Sequence, residues 1–198
     1  MLDWPPGIAP SLPSVTDLMI ADGDDFVGRG VPALTLTFGG LRGDRHTGAT
    51  RRSDTRTPWH TRGTPIANTR QLSLVSVEEC AEIATALGLD ILDPALLGPN
   101  LVLQGIPSLS LTPAATRLQF PSGATLFVTE QNMPCRQPGL RIAAAHGDPA
   151  LAASFGRAAT GRRGIVALVE REGTVQAGDP IRVIAPRIAR PHLPRITA

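Results

Sequence analysis

The chain has 198 residues, a formal net charge of +2 and 42% hydrophobic residues, which suits one globular domain and excludes a disordered chain. All 19 basic residues are arginine; without lysine, no covalent pyridoxal phosphate and no Walker A loop can form. Two cysteines do not make a disulfide scaffold. Because neither a signal peptide nor an apolar run of about 18 residues is visible, we expect a cytoplasmic protein with no membrane partner.

Short strands separated by turns dominate the predicted secondary structure. A Pro-rich segment, residues 1–13, is expected to be flexible. Strands follow at 14–21, 33–38, 71–76, 101–103, 117–120, 124–129, 164–172 and 181–184. Ser76 and Glu79 form a capping-box pattern for a helix that runs to Gly88. Its predicted apolar face holds Val77, Cys80, Ala81, Ala84 and Leu87.

The remaining helices and the ends complete the predicted organisation. Residues 139–158 read as two helical pieces broken at Gly147-Asp148-Pro149, and a Pro/Arg-rich tail covers 187–198. We expect a single domain over 14–186, with its motifs within about 36–185. The fold class is mainly β with peripheral helices (α+β), as an open or closed β-barrel.

Residues 39–70 form a long polar segment without periodicity, and such segments are usually functional or disordered. The segment holds seven arginines against two aspartates. Its glycines would let backbone N–H groups approach a ligand. The segment therefore fits an anion-binding loop, most naturally for phosphate, or equally a solvated arginine-rich loop. RNA binding is a weaker alternative, because Trp59 is the one aromatic residue that could stack on bases.

Cys135 lies in the stretch QNMPCRQPG, between Pro134 and Arg136. Free cysteine is usually buried, but the prolines disfavour a helix or central strand here. The neighbouring arginine and a helix expected to begin near Pro138 would favour a thiolate. We prefer a displayed, reactive thiol over a buried, inert one.

Spacing gives weak evidence for other site chemistry. His46, His60, Cys80 and Cys135 could converge on a metal, but zinc ligands usually occur in close pairs. A Cys-His hydrolase that uses Cys135 with His46 or His60 rests on residue types alone. Cys80, on the apolar face of its helix, is expected in the core.

Five motifs in register resemble the MOSC domain, a family named for the C-terminal domain of molybdenum cofactor sulfurases. They are GGLRGDRHTG, QLSLVSVEE, LGPNLVLQGI, NMPC and GRRGIVALVEREGTVQAGDPIRV. The resemblance implies a β-barrel with outer helices and a molybdopterin-type molybdenum cofactor. In the family, the cysteine that matches Cys135 ligates molybdenum or carries sulfur as a persulfide.

The resemblance also assigns site residues. Arg45 and His46 match the family's GDRH-type segment, Asn100 its G-x-N-L turn, and Arg163-Gly164 its R-G-G-type turn. Here the turn reads Gly-Arg-Arg-Gly, so Arg162 or Arg163 could serve. The full set of expected cofactor-binding residues is Arg45, His46, Arg51, Arg52, Arg56, Arg62, Asn100, Asn132, Arg136, Arg162 and Arg163, with Cys135 as metal ligand and catalytic residue.

The resemblance leaves the reaction open. The leading hypothesis is a molybdenum-dependent oxidoreductase that reduces an N-hydroxylated small molecule with electrons from a separate donor protein. The first alternative is a carrier of molybdenum cofactor or of persulfide sulfur, loaded by a sulfur donor. The second is an arginine-loop nucleic-acid binder, which the low net charge disfavours.

Overall fold

The structure, a computed structural model, describes residues 12–23, 27–106 and 108–186. The predicted tail, and the predicted flexible segment except residues 12–13, lie outside these ranges. Three α-helices are described: α1 (Val77–Leu87), α2 (Arg136–His146) and α3 (Ala150–Ala159). The strands are β1 (Ser14–Ile20), β2 (Arg29–Gly30), β3 (Ala33–Thr37), β4 (Gly40–Leu41), β5 (Thr50–Arg52), β6 (Pro65–Ala67), β7 (Leu72–Ser76), β8 (Leu101–Gln104), β9 (Arg117–Gln119), β10 (Thr125–Gln131), β11 (Ile165–Arg171), β12 (Gly173–Gln176) and β13 (Arg182–Ile184).

Eight strands form one sheet in the order β13-β9-β10-β11-β7-β8-β1-β2. The β7–β8 pair is parallel and the other pairs are antiparallel. Two smaller sheets have the orders β12-β3-β4 and β5-β6. The mainly β class with outer helices is confirmed. The closed barrel is not: an isolated bridge between Ser14 and Pro180, not a ladder, links β1 to the turn before β13.

Side chains alternate between two hydrophobic cores because successive strand residues face opposite sides of a sheet. Leu101 and Leu103 of β8 enter the first core, which also receives Leu36 of β3. Val102 faces the second core, between the large sheet and the three helices. None of the described helices is both long enough and apolar enough to cross a bilayer.

Helix α1 begins after Ser76, as the sequence predicts, but the Glu79 side chain does not make the predicted capping-box bond. The Ser76 hydroxyl accepts from the Glu79 N–H at 3.2 Å, which is half of the predicted capping box. The Glu79 carboxylate is instead buried and accepts from the Ser110 N–H and hydroxyl at 2.7 and 2.8 Å. Burial raises the pKa of Glu79. The predicted apolar face is wrong at Ala81, which is exposed, because the buried stripe runs through Cys80, Ile83 and Ala84.

Helix α2 begins at Arg136, nearer Cys135 than the sequence indicated. Pro138 falls in the first turn, where the missing N–H would have no partner within the helix. Helix α3 packs closely on α2: a Cβ added at Gly139 would lie 3.0 Å from the Ala152 carbonyl oxygen. The break between the helices lies at residues 147–149, as predicted.

Glycine is required at the turn before β11. Gly164 has φ +80°, and an added Cβ would overlap the Leu74 carbonyl oxygen. Its N–H donates to the Ser110 hydroxyl at 2.6 Å. Strain and overlap should together lower the free energy of unfolding of Gly164→Ala by about 3 kcal/mol or more, measured by urea denaturation.

Gly161→Ala is the matched control for this prediction. Gly161 has φ +75°, but nothing lies within 4 Å of its added Cβ, so only the backbone cost of about 1–2 kcal/mol should remain. Equal losses in the two variants would show that the close approach of Gly164 to β7 does not matter.

Candidate functional site

A cavity of about 700 Å³ lies beside the edge where β10 ends and β11 begins. One carboxylate, that of Asp54, lines it together with seven arginines. The lining arginines are Arg45, Arg51, Arg52, Arg56, Arg70, Arg141 and Arg163. The cavity therefore has a strong excess of positive charge, which favours an anionic ligand.

Most of the expected site residues line this cavity. They are Arg45, His46, Arg51, Arg52, Arg56, Asn100, Asn132, Cys135 and Arg163. Arg62, Arg136 and Arg162 are not among the lining residues. Arg162 instead donates to Glu82 at 2.6 Å, on the exposed side of α1, so of the two arginines in the GRRG turn it is Arg163 that reaches the cavity.

Two lining arginines, Arg70 and Arg141, were not in the expected set. Arg70 donates to the Asn132 amide oxygen at 2.9 Å and pairs with Glu130 at 2.7 Å. Arg70 is 62 positions from Asn132, so no local pattern indicated the contact. Arg141 lies on α2, six positions after Cys135. At 3.6 residues per turn this spacing does not put it on the cysteine's face of the helix, so helical periodicity from Cys135 did not indicate it.

Asp44 is the centre of the hydrogen bonds that hold the GDRH segment. One carboxylate oxygen accepts from the Ala21 N–H at 2.8 Å and from the Asn100 amide at 3.0 Å. The other accepts from the His46 N–H and faces His46 Nδ1, both at 2.8 Å. Burial alone would raise the pKa of Asp44, but the bonds from His46 and Ala21 outweigh it and hold that pKa below 3.8.

The Asp44 carboxylate also fixes the state of the His46 ring. A carboxylate can only accept, so Nδ1 carries the proton and Nε2 is left as an acceptor in the neutral ring. The His46 side chain is 50% exposed while that of Asp44 is fully buried. The buried Asp44 carboxylate therefore holds the orientation of the His46 ring at the cavity.

Both expected asparagines are committed to bonds within the protein. Asn132 accepts from Arg70 and donates to the Ser73 hydroxyl at 3.1 Å. Asn100 accepts from the Ser73 N–H at 3.0 Å and donates to Asp44. Their side chains thus brace the cavity wall, a role that the sequence did not indicate.

Arg163 is the most deeply buried cation of the cavity, with 6% of its surface exposed. Its Nη2 donates to the Leu97 carbonyl oxygen, and its Nη1 is buried without a hydrogen-bond partner. No carboxylate of the described residues pairs with it. Burial lowers the pKa of Arg163 to about 10, although the negative charge that Cys135 carries when ionised opposes this shift. At neutral pH the guanidinium remains charged.

The β5–β6 hairpin supplies a second buried donor. Arg51 Nε is buried without a hydrogen-bond partner, while Arg51 Nη1 lies 3.6 Å from an Asp54 oxygen. Arg56 pairs with the same carboxylate at 3.1 Å. Burial would raise the pKa of Asp54, but the Arg56 N–H and the charges of Arg56, Arg51 and Arg70 lower it overall. One carboxylate thus holds two arginines at the cavity.

The two cysteines occupy opposite environments. Cys135 is exposed and is the N-cap residue of α2, where the free N–H groups and the positive end of the helix favour an anion. Cys80 is buried in the second core, and burial raises the pKa of its thiol to about 12. A thiolate is the nucleophile and the metal ligand, so Cys135 is the thiol that this site can use.

The described residues hold no group of three or more His, Cys, Asp or Glu side chains that could bind a metal by themselves. A metal site formed by His46, His60, Cys80 and Cys135, for which residue spacing gave only weak evidence, is therefore not found among the described residues. The cavity suits a ligand that brings its own anionic groups and meets one protein thiol.

The chain is similar in sequence to known proteins. The sequence profile of the MOSC domain matches residues 45–182. A Bacillus subtilis (strain 168) protein is 45% identical over 167 residues, which are 84% of this chain and 87% of that protein. Its full name reads "Putative metal-sulfur cluster biosynthesis proteins YuaD".

Solved structures show the same fold. The crystal structure of the Bacillus subtilis YuaD protein has a TM-score of 0.85 and 42% identity, covering 87% of this chain and 96% of that one. YiiM from Escherichia coli has a TM-score of 0.57 at 18% identity, covering 87% and 70% of the two chains. At that identity, the likeness to YiiM shows the fold alone.

Asp44→Asn should destabilise the protein in a pH-dependent way. A carboxylate whose pKa is lowered by folding stabilises the native state above its unfolded value of 3.8, and this contribution is lost as the pH falls through the folded value. Loss of the charge-assisted bonds should cost about 1–3 kcal/mol at pH 7. The difference from wild type should shrink below pH 3.8, as measured by denaturant unfolding. The exposed control Asp90→Asn should have the same free energy of unfolding as wild type. A loss of stability in Asp44→Asn that did not depend on pH would contradict the role of the Asp44 charge.

Iodoacetamide should distinguish the two thiols. At pH 8 the exposed Cys135 should react within minutes, and Cys80 only after denaturation, because its pKa is about 12 and its side chain is buried. Peptide mass spectrometry gives the site of alkylation. Labelling of Cys80 first in the folded protein would show that the reactive thiol has been assigned wrongly.

Proposed function

This chain belongs to the MOSC domain family, and from that premise we propose that its arginine-lined cavity binds a molybdopterin-type molybdenum cofactor for the reduction of N-hydroxylated substrates. The observation that carries the proposal is the presence, in one cavity, of an exposed thiol and a buried guanidinium whose Nη1 has no hydrogen-bond partner. Cys135 and Arg163 provide these two groups.

The donors of the cavity fit such a group. Two buried guanidinium N–H groups, Arg163 Nη1 and Arg51 Nε, have no hydrogen-bond partner, and an unsatisfied buried donor costs about 1–3 kcal/mol. A phosphate oxygen would satisfy such a donor with a charge-assisted bond. Cys135 offers the soft thiolate that suits molybdenum.

The residues that line the cavity would have different roles in this function. Arg51 and Arg56 on the β5–β6 hairpin would bind the phosphate, and Cys135 would hold the metal. The bound cofactor supplies two-electron reduction of an N–OH group, for which a separate donor protein returns the electrons. Loss of the hydroxyl as water consumes protons, and His46 Nε2 can hold one on the cavity wall.

A second candidate is a carrier that holds sulfur as a persulfide on Cys135. Its support is the exposed thiol at the α2 N-terminus, in a cavity whose charge favours anionic sulfur. The relative named for metal-sulfur cluster biosynthesis agrees with a sulfur function. The two candidates share the cavity and differ in what Cys135 carries.

Cofactor content separates these functions. Protein purified from a host that makes the cofactor should contain molybdenum and pterin fluorescence, and should reduce an amidoxime with an artificial electron donor. Cys135→Ser should lose the activity, whereas Cys80→Ala should retain it. Arg51→Ala should weaken cofactor binding about ten- to a hundredfold by loss of a charge-assisted bond.

Arg182→Ala is the control for the change in charge, because Arg182 is exposed on β13 away from the cavity. It should leave occupancy unchanged. Absence of molybdenum and pterin in every variant from a competent host would reject the reductase proposal, while a persulfide on Cys135 would then favour the sulfur carrier.

A further inference from the structure

Arg163 Nη1 is buried without a hydrogen-bond partner. The sulfur-carrier function proposed above names no ligand for this group. We propose that Cys135 takes its sulfur from a small dianion of the thiosulfate class, whose oxyanion group is bound by Arg163. This inference rests on the sulfur-carrier function proposed above and adds to it the chemical class of the donor.

The direction of the free N–H is fixed by the rest of the guanidinium. The Arg163 fork is planar and rigid, and its Nη2 is tied to the carbonyl oxygen of Leu97. Nη1 therefore cannot turn away to water without breaking that bond. Because Arg163 is only 6% exposed, an anion that enters the cavity would contact a preorganised, poorly hydrated cation.

The backbone places this cation beside the thiol. Gln131, the last residue of β10, pairs with Ile165, the first of β11, and the Asn132 N–H donates to the Gly164 carbonyl oxygen at 2.9 Å. Cys135 thus follows one strand, and Arg163 precedes its neighbour, at the same sheet edge. The influence of the Cys135 thiolate on the charge of Arg163 agrees with this proximity.

Only some small oxyanions can donate sulfur to the Cys135 thiolate. Phosphate and sulfate offer no sulfur that a thiolate can attack, whereas thiosulfate joins an oxyanion to an outer, sulfane sulfur. A soft thiolate attacks a sulfur–sulfur bond readily. The excess of arginine would draw in the dianion, and the helix N-terminus at Cys135 would stabilise the anionic sulfur that remains.

The transfer balances without an added oxidant. The Cys135 thiolate attacks the outer sulfur of thiosulfate, and a new Sγ–S bond forms. The original S–S bond breaks, and its electron pair leaves with sulfite, which is bound by Arg163. Cys135 is left as an anionic persulfide, so the total charge is unchanged. An acceptor nucleophile then removes the outer sulfur and regenerates the thiolate.

The full chain, reduced and free of added cofactor, should be incubated with thiosulfate and analysed by peptide mass spectrometry. Cys135 should gain one sulfur atom, Cys80 none, and added cyanide should release thiocyanate with turnover. Sulfate, which carries the oxyanion without the outer sulfur, should compete on the wild-type protein. This competition needs no variant and so does not depend on whether a substitution folds.

Arg163→Gln keeps a polar side chain but removes the charge and the guanidinium, and should slow loading about ten- to a hundredfold. Arg163→Lys, which keeps the charge without the fork, should be intermediate. Arg182→Gln makes the same change in net charge outside the cavity and should match wild type. Circular dichroism on each variant establishes that it is folded.

A second sulfur donor, a low-molecular-weight persulfide, distinguishes failure of the proposed donor class from failure of the sulfur-carrier function. If that donor loads Cys135 but thiosulfate does not, the donor class is wrong and the sulfur-carrier function stands. If neither loads it, both proposals fail. Equal rates with thiosulfate for wild type and a folded Arg163→Gln, or no competition by sulfate, would overturn the role of Arg163.

Discussion

A buried positive charge without a carboxylate partner is the constraint around which this molecule is organised. Removing a guanidinium from water costs several kcal/mol unless other groups offset the loss. Here the protein provides the Leu97 carbonyl oxygen and the nearby Cys135 sulfur, and leaves Nη1 of Arg163 without a partner. A protein selected for stability alone would place an apolar side chain at this position. The uncompensated donor supports the ligand-binding role proposed for Arg163, with its cost to stability offset elsewhere in the fold.

The support for this charge comes from buried polar contacts that join distant parts of the chain. Glu79 on α1 holds Ser110, whose hydroxyl accepts the Gly164 N–H beside Arg163. On the opposite wall, the Asp44 carboxylate holds His46 and is itself held by Asn100. The side chains in these contacts have hydrogen-bond partners within the protein. Satisfied hydrogen-bond networks of this kind specify one arrangement of a core. The arginine-rich hairpin β5–β6 then adds charge at the cavity, on a frame that is already fixed.

Local sequence patterns predicted the features that local physics determines. The long strands, the helix after Ser76 and the helix break at residues 147–149 follow from periodicity, capping and turn residues. Strands β2, β4, β5, β6 and β12 were missed, because runs of two to four residues carry too little periodicity to identify a strand. The contacts of Asp44 with Asn100 and of Arg70 with Asn132 could not be predicted, since the partners are 56 and 62 positions apart in the sequence. The prolines and the arginine around Cys135 indicated an exposed thiol, and the structure has it exposed. Arg163 was indicated by the resemblance to the MOSC domain family.

The proposals share one arrangement, in which the cavity brings an anionic group to Arg163 and a reactive atom to Cys135. A crystal structure of protein purified from a host that makes the molybdenum cofactor, with diffraction recorded across the molybdenum absorption edge, would test this arrangement. An anion should lie within hydrogen-bond distance of Arg163 Nη1, with either molybdenum or an added sulfur bonded to Cys135 Sγ. An unmodified Cys135, with the cofactor or anion bound outside the arginine-lined cavity, would contradict this arrangement.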